Sequence, residues 1–456
     1  MFKKFLPICV AILLRTANAS GIADPFSTGE MVPPLPCGAS HAADKPYDLA
    51  DVVSRALCNN PQTREAWANA EVQAEQVGIA KSAYLPTFNA NVNPSLNKNS
   101  SLLSRLQGAG SSVYSQTSTS LTLSLLLYDF GARRAALENA EQTLKALNET
   151  QDATMQGVFL AAVQAYYQLF ATQALLEASI EAEKSGRESY DAASTRNRVG
   201  TATPADELQA KTALEQAVLN RITAQGNEKI AEGTLANAMG LDAGSGIRIE
   251  SPGSLEDEGK FAGRVDSMME EAKRIRPDLL AAKAQLEAAK ANVLAAEATG
   301  SPTITLSASQ NYTHSSVYDP YSGTSLGLAI NFPIFTGFNT TYRMRAAKAQ
   351  VEASQAQVEK ISQQVTLDVW RAYQNLVTAT ETLKSTATLL ESAIQAERVA
   401  LGRYKAGVGI IVDLLTAQSA LASARQQRAQ ALYTWQIDKA ILAQAMGNLN
   451  AIPAKE

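Results

Sequence analysis

Residues that could carry covalent or acid–base chemistry are few in this chain, and they do not cluster. The sequence holds two histidines, His41 and His314, and three cysteines, Cys9, Cys37 and Cys58. Neither a nucleophile with its base nor a set of Cys and His at metal-ligand spacing can be assembled from them. The sequence therefore predicts that the protein is not an enzyme and binds neither a metal nor a cofactor. Its function is expected to depend on the surfaces that it presents.

One disulfide is predicted. The first residues carry a basic start, a short apolar stretch and a small-x-small site before Ser20, so residues 1–19 are predicted to be a secretory signal peptide. Its removal leaves Cys37 and Cys58 in an oxidising compartment, where an even count permits a bridge between them. The alternative is a pair of buried thiols.

Composition narrows the choice of partners. The formal net charge of −4 argues against nucleic acid. After the signal, no apolar run reaches the ~20 residues that a transmembrane helix needs. Any crossing of a membrane is therefore expected to be made by strands.

The chain is an internal duplication. Residues 52–88 align without a gap on residues 268–304 at an offset of 216, and beyond the first strands the offset is 207. In that register Gly200 falls on Gly407 and Asp206 falls on Asp413. A period near two hundred residues is too long for a solenoid unit. We therefore expect two structural halves, with function on elements that both contribute.

Proline placement predicts the same helices in each half. Long proline-free stretches rich in Ala, Leu, Glu, Gln and Lys are helical by propensity, and their apolar heptads are typical of coiled coils. We predict entering, long and returning helices at 46–83, 132–197 and 205–239, and again at 266–298, 338–404 and 412–446. The first repeat then covers residues 20–240, a linker 241–265, the second repeat 266–447 and a C-terminal tail 448–456.

Two strand hairpins interrupt the helices, at residues 86–128 and 302–335. Their residues alternate between apolar and small or polar types, as in strands with one apolar face. Each strand reaches the ~9–11 residues that span a membrane. Four strands do not close a barrel, and lipid does not tolerate open strand edges, so membrane-spanning strands would require several copies of the chain. The alternative is a β-sandwich patch outside the membrane.

Motifs at ordered spacing resemble the outer-membrane efflux family, the TolC-like channels. They are Ala83-Tyr84-Leu85-Pro86, Leu127-Tyr128-Asp129-Phe130-Gly131, Pro333-Ile334-Phe335-Thr336-Gly337, Arg198-Val199-Gly200-Thr201 and Tyr404-Lys405-Ala406-Gly407-Val408. The resemblance covers nearly the whole mature chain, twice over. Two further runs resemble the CyaE-like branch of the family, which serves type I secretion of a toxin: Leu35-Pro36-Cys37-Gly38 and Cys58-Asn59-Asn60-Pro61.

The resemblance implies a mixed, mainly α fold. Long antiparallel coiled-coil helices would form a trimeric α-barrel tunnel, continued by a 12-stranded β-barrel to which each chain gives four strands. Such a protein lies in the outer membrane of a Gram-negative bacterium and reaches into the periplasm. Its implied partners are two further copies, outer-membrane lipid, a periplasmic adaptor (membrane-fusion) protein and an inner-membrane pump of the proton-driven or ABC type.

As a member of this family the chain would be a passive duct of a tripartite export system. Efflux of toxic, relatively hydrophobic small molecules is the favoured cargo, with type I secretion of a protein toxin as the alternative. A periplasmic coiled-coil adaptor or structural protein is the alternative from another class. Adaptors also have helical hairpins, but they lack paired alternating strands, so the strand hairpins favour a channel.

Two sets of site residues follow from the resemblance. The helix-hairpin turns would dock the adaptor, through Arg198, Val199, Gly200 and Thr201 and through Ala406, Gly407 and Val408. A periplasmic gate would use Asp413 as a ring of carboxylates, with Tyr404, Arg403, Asp206 and Glu215 around it. The family's second aspartate and its latch arginine fall here on Thr416 and Gly409, so only one ring is expected. Alternatively, Asp206 and Asp413 only stabilise the first turns of their helices.

Overall fold

The structure is a computed structural model that describes residues 24–35, 37, 46–99, 112–250 and 264–448. The predicted signal peptide, most of the predicted linker and nearly all of the predicted C-terminal tail lie outside the described residues. By contact density the chain forms two compact units. Among the described residues, the sheet unit comprises those within Ala70–Leu144, within Gln285–Ala353 and before Pro34. The helical unit comprises those within Pro34–Asn69, within Lys145–Ala284 and from Ser354 onward.

The described part of the chain has eight α-helices and four strands, so the expected mainly helical fold is confirmed. The first repeat runs α1 (Leu49–Asn59), α2 (Pro61–Ser82), β1 (Thr87–Asn99), β2 (Ser112–Tyr128), α3 (Ala132–Arg198) and α4 (Pro204–Ala238). The second runs α5 (Val265–Ile275), α6 (Pro277–Ala298), β3 (Thr303–Ser315), β4 (Tyr321–Asn331), α7 (Asn339–Lys405) and α8 (Ile411–Ala445). The long and returning helices begin and end within one residue of the predicted bounds.

The entering helices correct the prediction, because each is two helices and not one. Asn60 and Arg276 interrupt them in an extended conformation, with ψ of 128° and 123°. Pro61 and Pro277 follow and begin the next helix. A proline has no N–H to donate and disfavours the helical conformation of the residue before it. High helix propensity on both sides does not overcome that steric restriction.

The strands form one antiparallel sheet in the order β1-β2-β3-β4. Phe88, Leu123, Ala308 and Leu326 pair in one row across all four strands, and the other face carries rows of small and polar residues. The β2–β3 pairing joins the two repeats. Within the described chain, the outer edges of β1 and β4 pair with no strand. β3 ends at Ser315 and β4 begins at Tyr321, so residues 316–320 form the loop of the second hairpin.

None of the described helices is both long enough and apolar enough to cross a membrane.

In the sheet unit, a short ion pair fixes the turn from β2 into α3. Asp129 is buried, and its carboxylate accepts from Arg133 Nε at 3.0 Å. Arg133 also donates through Nη1 to the Leu126 carbonyl at 2.7 Å, which ties the helix start to the strand end. At the equivalent place in the second repeat Thr336 faces Thr340, with 3.3 Å between their hydroxyls. The first junction therefore has a charged link where the second has a neutral one.

Within the described residues of the helical unit, each repeat has an apolar cluster of its own. Leu169, Leu235 and Met239 are at most 1% exposed in the first cluster, and Val365 and Val369 are fully buried in the second. The buried residues of α7 follow the predicted heptads. Burial of each such side chain stabilises the fold by about 1.5–3 kcal/mol.

The returning helices end at the helix breaks, and they do so alike in both repeats. Asn60 Nδ2 donates to the Ala238 carbonyl at 3.4 Å, and Arg276 Nη1 donates to the Ala445 carbonyl at 3.5 Å. Asn60 and Arg276 are repeat equivalents, as are the two carbonyls. Arg276 also forms ion pairs at 2.6 and 3.1 Å with two carboxylates, those of Asp278 and Asp368. The second repeat thus adds charge to a contact that the first makes with an amide.

Near the end of α1, Cys58 is bonded to Cys37, and their Cα atoms are 5.2 Å apart. The bridge spans 21 positions of sequence. In the chain-entropy view, a closed loop of that length stabilises the folded state by about 3 kcal/mol.

A pair of glycine substitutions tests how closely the end of α4 packs against the helix break in the first repeat. Gly240 has a φ of +71°, and a Cβ there would lie 2.8 Å from the Asn59 carbonyl oxygen. Gly200 has a φ of +77° with open space around it, which makes it the matched control. Gly200→Ala should lower the free energy of unfolding by about 1 kcal/mol, because an alanine is strained in the left-handed backbone conformation. Gly240→Ala should cost about 1–3 kcal/mol more through overpacking. Equal shifts of the thermal unfolding midpoint in Gly200→Ala and Gly240→Ala, measured on the purified protein, would contradict this close packing.

Candidate functional site at the helical hairpin turns

The turns between α3 and α4 and between α7 and α8 have the same backbone geometry. Gly200 and Gly407 adopt φ of 77° and 76°, which an L side chain disfavours. One backbone hydrogen bond closes each turn. The Thr201 N–H donates to the Arg196 carbonyl at 2.8 Å, and the Val408 N–H donates to the Arg403 carbonyl at 3.0 Å. This is the Schellman arrangement at a helix C-terminus. The two turns are therefore structural equivalents, as their sequence register predicts.

Both turns present apolar side chains to solvent. Val199, Val408 and Ile410 are 66%, 71% and 62% exposed. A Cβ placed on either Gly200 or Gly407 would meet no atom within 4 Å. In the described chain, the predicted docking residues thus lie on an accessible surface that another helix tip could approach closely.

The structure distinguishes the two aspartates that the repeat register pairs. Asp206 belongs to a capping box at the start of α4, where its carboxylate accepts from the Thr203 N–H at 2.9 Å and its N–H donates to the Thr203 hydroxyl at 3.2 Å. Asp413 lies in the first turn of α8, whose N-cap, Ile410, has no side-chain acceptor. The Asp413 carboxylate is exposed, and it bonds to no side chain or amide of the described residues.

Tyr404 is held by Arg196, a residue that the sequence did not single out. The Arg196 Cζ lies 4.3 Å from the centroid of the Tyr404 ring. Its Nη2 donates to the Tyr404 carbonyl at 2.8 Å and to the Lys405 carbonyl at 3.3 Å. These carbonyls end α7 and carry the negative end of its dipole. A guanidinium from the first hairpin therefore caps the long helix of the second, and we call this contact the Arg196 clamp.

An apolar cluster lies beneath the clamp. Tyr404 is 5% exposed and packs with two residues of the first hairpin and two of the second, Ala193, Ala210, Ile411 and Leu414. Its hydroxyl is buried and has no hydrogen-bond partner among the described residues. The ring and the backbone of Tyr404 hold it in place, and the hydroxyl contributes nothing to the contact.

The predicted latch groups Arg403 and Glu215 are not brought to Tyr404. Both side chains are exposed, and neither makes an ion pair or a side-chain hydrogen bond within the described ranges. The repeat register pairs Arg196 with Arg403, but it does not show that Arg196 contacts Tyr404. A Cβ on Gly409 would lie 3.0 Å from both the Arg403 Cβ and the Tyr404 N, which leaves little room for a latch arginine there.

The first hairpin has a polar pair where the second has an apolar one. Asn197 and Glu207 are the repeat equivalents of Tyr404 and Leu414. The Asn197 amide donates to Glu207 Oε2 at 2.7 Å. That bond, together with weaker contributions that include Ser194, holds the pKa of Glu207 below its usual range. Glu207 is therefore a carboxylate at neutral pH.

Comparison with known proteins gives concordant matches. The family model described as outer membrane efflux protein matches residues 52–241 and 268–448. The chain is 30% identical to Protein CyaE of Bordetella pertussis, over 92% of this chain and 88% of that protein. It is 26% identical to the outer membrane protein TolC of Vibrio cholerae, over 88% and 91% of the two chains.

Solved structures match as well. CusC superposes with a TM-score of 0.79 at 21% identity, covering 94% of this chain and 99% of that chain. The outer membrane protein VceC of Vibrio cholerae superposes with a TM-score of 0.76 at 19% identity, covering 88% and 96%. At these identities the likeness establishes the fold, which is that of the channels.

Two substitutions test how the clamp works. Arg196→Ala removes a helix cap and a cation–π contact, together about 1–3 kcal/mol, so amide exchange in the peptide around 400–410 should quicken about tenfold or more. Tyr404→Phe keeps the ring and deletes only the unpartnered hydroxyl, so exchange there should be unchanged or slower. Hydrogen–deuterium exchange with mass spectrometry measures both. Equal acceleration in the two variants would show that the hydroxyl, and not the ring, is the point of attachment.

Proposed function

Because this chain belongs to the outer membrane efflux protein family, we propose that it acts as a homotrimeric duct for small, toxic, relatively hydrophobic compounds. The family itself makes the chain the outer-membrane channel of a tripartite export system, a passive channel and not an enzyme.

The sheet is the observation that carries the proposal. One face is apolar, as the lipid side of a membrane barrel must be, and both outer edges lack a partner strand in the described chain. Four strands per chain reach the smallest known membrane barrel, eight strands, only when copies share it. Three copies give twelve strands, the number that the family resemblance implies.

Docking of a periplasmic adaptor is proposed at the two turns. Its support is the pair of exposed valines, Val199 and Val408, beside glycines that leave room for a partner's helix tip. An inner-membrane pump would supply the energy, since the channels of this family are passive. The adaptor and pump are expected from the tripartite systems to which its relatives belong.

The printed names of relatives support small-molecule cargo. Two proteins of Pseudomonas putida, each 28% identical over 83% of this chain, are a toluene efflux pump outer membrane protein and an antibiotic efflux pump outer membrane protein. Type I protein secretion stays the second candidate, since the match to Protein CyaE covers 92% of the chain and the Cys37–Cys58 bond joins the two runs that resemble that branch.

A complementation experiment tests docking and cargo together. In a strain lacking the gene, Gly407→Glu should fail to restore export, because a bulky charge at the turn blocks close approach, while trimers remain in the membrane. Gly226→Glu is the matched control, since Gly226 is exposed on α4 with no atom within 4 Å of an added Cβ. Export is read as resistance to dyes and bile salts and as secretion of a large repeat toxin.

The outcomes of that experiment separate the alternatives. Lost resistance with normal secretion supports small-molecule efflux, and the reverse result would make type I secretion the function. Full activity of Gly407→Glu would refute docking at this turn. A chain that fractionates without the membrane would contradict the duct itself.

At the turn, Asp413 is proposed to form the gate. Its carboxylate lies at the positive end of the α8 dipole, and three copies about a threefold axis would place three such charges close together, which favours cation binding. The capping box of Asp206 supports the alternative role for that residue, which is to stabilise the first turn of α4.

The aspartates differ in their predicted effect on conductance. Asp413→Asn should weaken block of the channel by divalent cations in planar bilayers, since it removes the charge at little cost in volume. Asp206→Asn is the control, because an amide oxygen can still accept from Thr203, so block should be unchanged. An equal loss of block in both variants, or none in either, would contradict a ring formed by Asp413.

A further inference from the structure

A carboxylate lies in the apolar seam along which α7 and α8 pack. On α8, Ala424, Ala431 and Ala445 are buried at heptad spacing, and Asp438 occupies the remaining position of that line. In the first repeat the equivalent line on α4 is alanine throughout, with Ala231 at the position of Asp438. The second repeat therefore carries a charged residue at a core position where the first has a methyl group.

Asp438 is buried without a partner. Only 9% of the residue is exposed, and its carboxylate forms no ion pair and no hydrogen bond with the described residues. With no such contact, burial raises the pKa of Asp438. A polar residue that fixes the register of a coiled coil pairs across the seam, and this one does not. A buried unpaired charge destabilises a fold, so a cation that reached this carboxylate would stabilise the folded chain.

Asp438 lines a cavity of about 550 Å³ between α7 and α8, which we call the Asp438 site. Two contacts fasten the helices beside it. Trp435 Nε1 donates to the Thr380 hydroxyl at 3.1 Å, and Arg428 Nη1 donates to the Leu383 carbonyl. These contacts hold the walls of the cavity at a fixed separation, and its volume is that of a small-molecule site.

The other described residues that line the Asp438 site are uncharged, and several present acceptors. Gln427 Nε2 donates to the Ser423 hydroxyl at 2.9 Å, and Gln430 Nε2 donates to the Thr434 hydroxyl at 3.1 Å. Each glutamine keeps its amide oxygen as an acceptor. One negative charge surrounded by neutral acceptors suits an ammonium group, which carries one positive charge and donates up to three hydrogen bonds.

We propose that the Asp438 site binds a small organic amine in its cationic form. Its ammonium group forms an ion pair with Asp438 and donates to the amide oxygens of Gln427 and Gln430. Its apolar part lies against Ala379 and Ala431, buried lining residues whose small side chains leave the space. The site is built within the second hairpin of one chain, so it depends on neither the proposed trimer nor the proposed cargo.

A matched pair of fluorescent probes tests the charge requirement on the full-length protein in detergent. Dansylcadaverine has one primary ammonium group, and its N-acetylated form keeps the fluorophore without the charge. Fluorescence anisotropy should show that the amine binds about tenfold more tightly than the acetylated form, since a hydrogen-bonded charge is lost. Binding to detergent alone is measured without protein. Equal affinity for the two probes overturns the inference.

Two substitutions locate the binding. Asp438→Asn should lower the affinity for dansylcadaverine about tenfold, whereas Glu381→Gln removes an exposed α7 carboxylate that does not line the cavity and should change nothing. Thr378→Trp should also abolish binding, because Thr378 is an exposed lining residue and the indole would fill the space while leaving the carboxylate in place. Unchanged affinity in Asp438→Asn or in Thr378→Trp refutes the site.

Thermal unfolding without any probe tests whether the carboxylate is unpaired. Asp438→Asn should raise the unfolding midpoint, because it removes a buried charge that has no counter-ion, and Glu381→Gln should leave it unchanged. A lower midpoint in Asp438→Asn would show that the assembled protein already pairs this carboxylate, and the inference would then fail. Loss of the site would leave the proposed duct standing, since export and oligomeric state are measured separately.

Discussion

The structure depends on one constraint, that the outer edges of the sheet must find partners. β1 pairs only with β2 and β4 only with β3 in the described chain, so each outer edge presents a row of backbone groups without a strand beside it. In lipid such groups have no water to bond, and leaving them unpaired costs several kcal/mol each. The proposed homotrimer would satisfy this constraint, since further copies would close the sheet, apolar on one face, on itself.

The internal duplication lets one chain make, between its own two repeats, contacts of the kind that would close the sheet. The two repeats meet each other through the β2–β3 pairing and through the Arg196 clamp, and each repeat packs the end of its own returning helix against its own helix break. Each internal contact is a pattern that a neighbouring copy can repeat. The two repeats differ at some equivalent positions. Arg276 of the second repeat replaces Asn60 of the first and adds charge, and Tyr404 replaces Asn197 and adds an aromatic contact.

Most of the fold could be predicted from the sequence, because helix length, heptads and strand alternation are local patterns. The long and returning helices were placed to within a residue. The breaks at Asn60 and Arg276 are also signalled locally, by the prolines after them, although the helix propensity on both sides favours one continuous helix. Of the site, the equivalence of Gly200 and Gly407 was readable, and so was the different fate of the aspartates, since Thr203 can cap a helix and Ile410 cannot. The Arg196 clamp was not readable, since it joins residues about two hundred positions apart through packing.

Native mass spectrometry of the full-length protein in detergent tests the central claim most directly. If closing the sheet governs the assembly, the spectrum should show one dominant species of three chains. A modest decrease in the detergent concentration should not release folded monomers. A stable monomer, or a mixture of oligomers with no preference for three, would show that the edges of the sheet are satisfied in another way and would contradict the account.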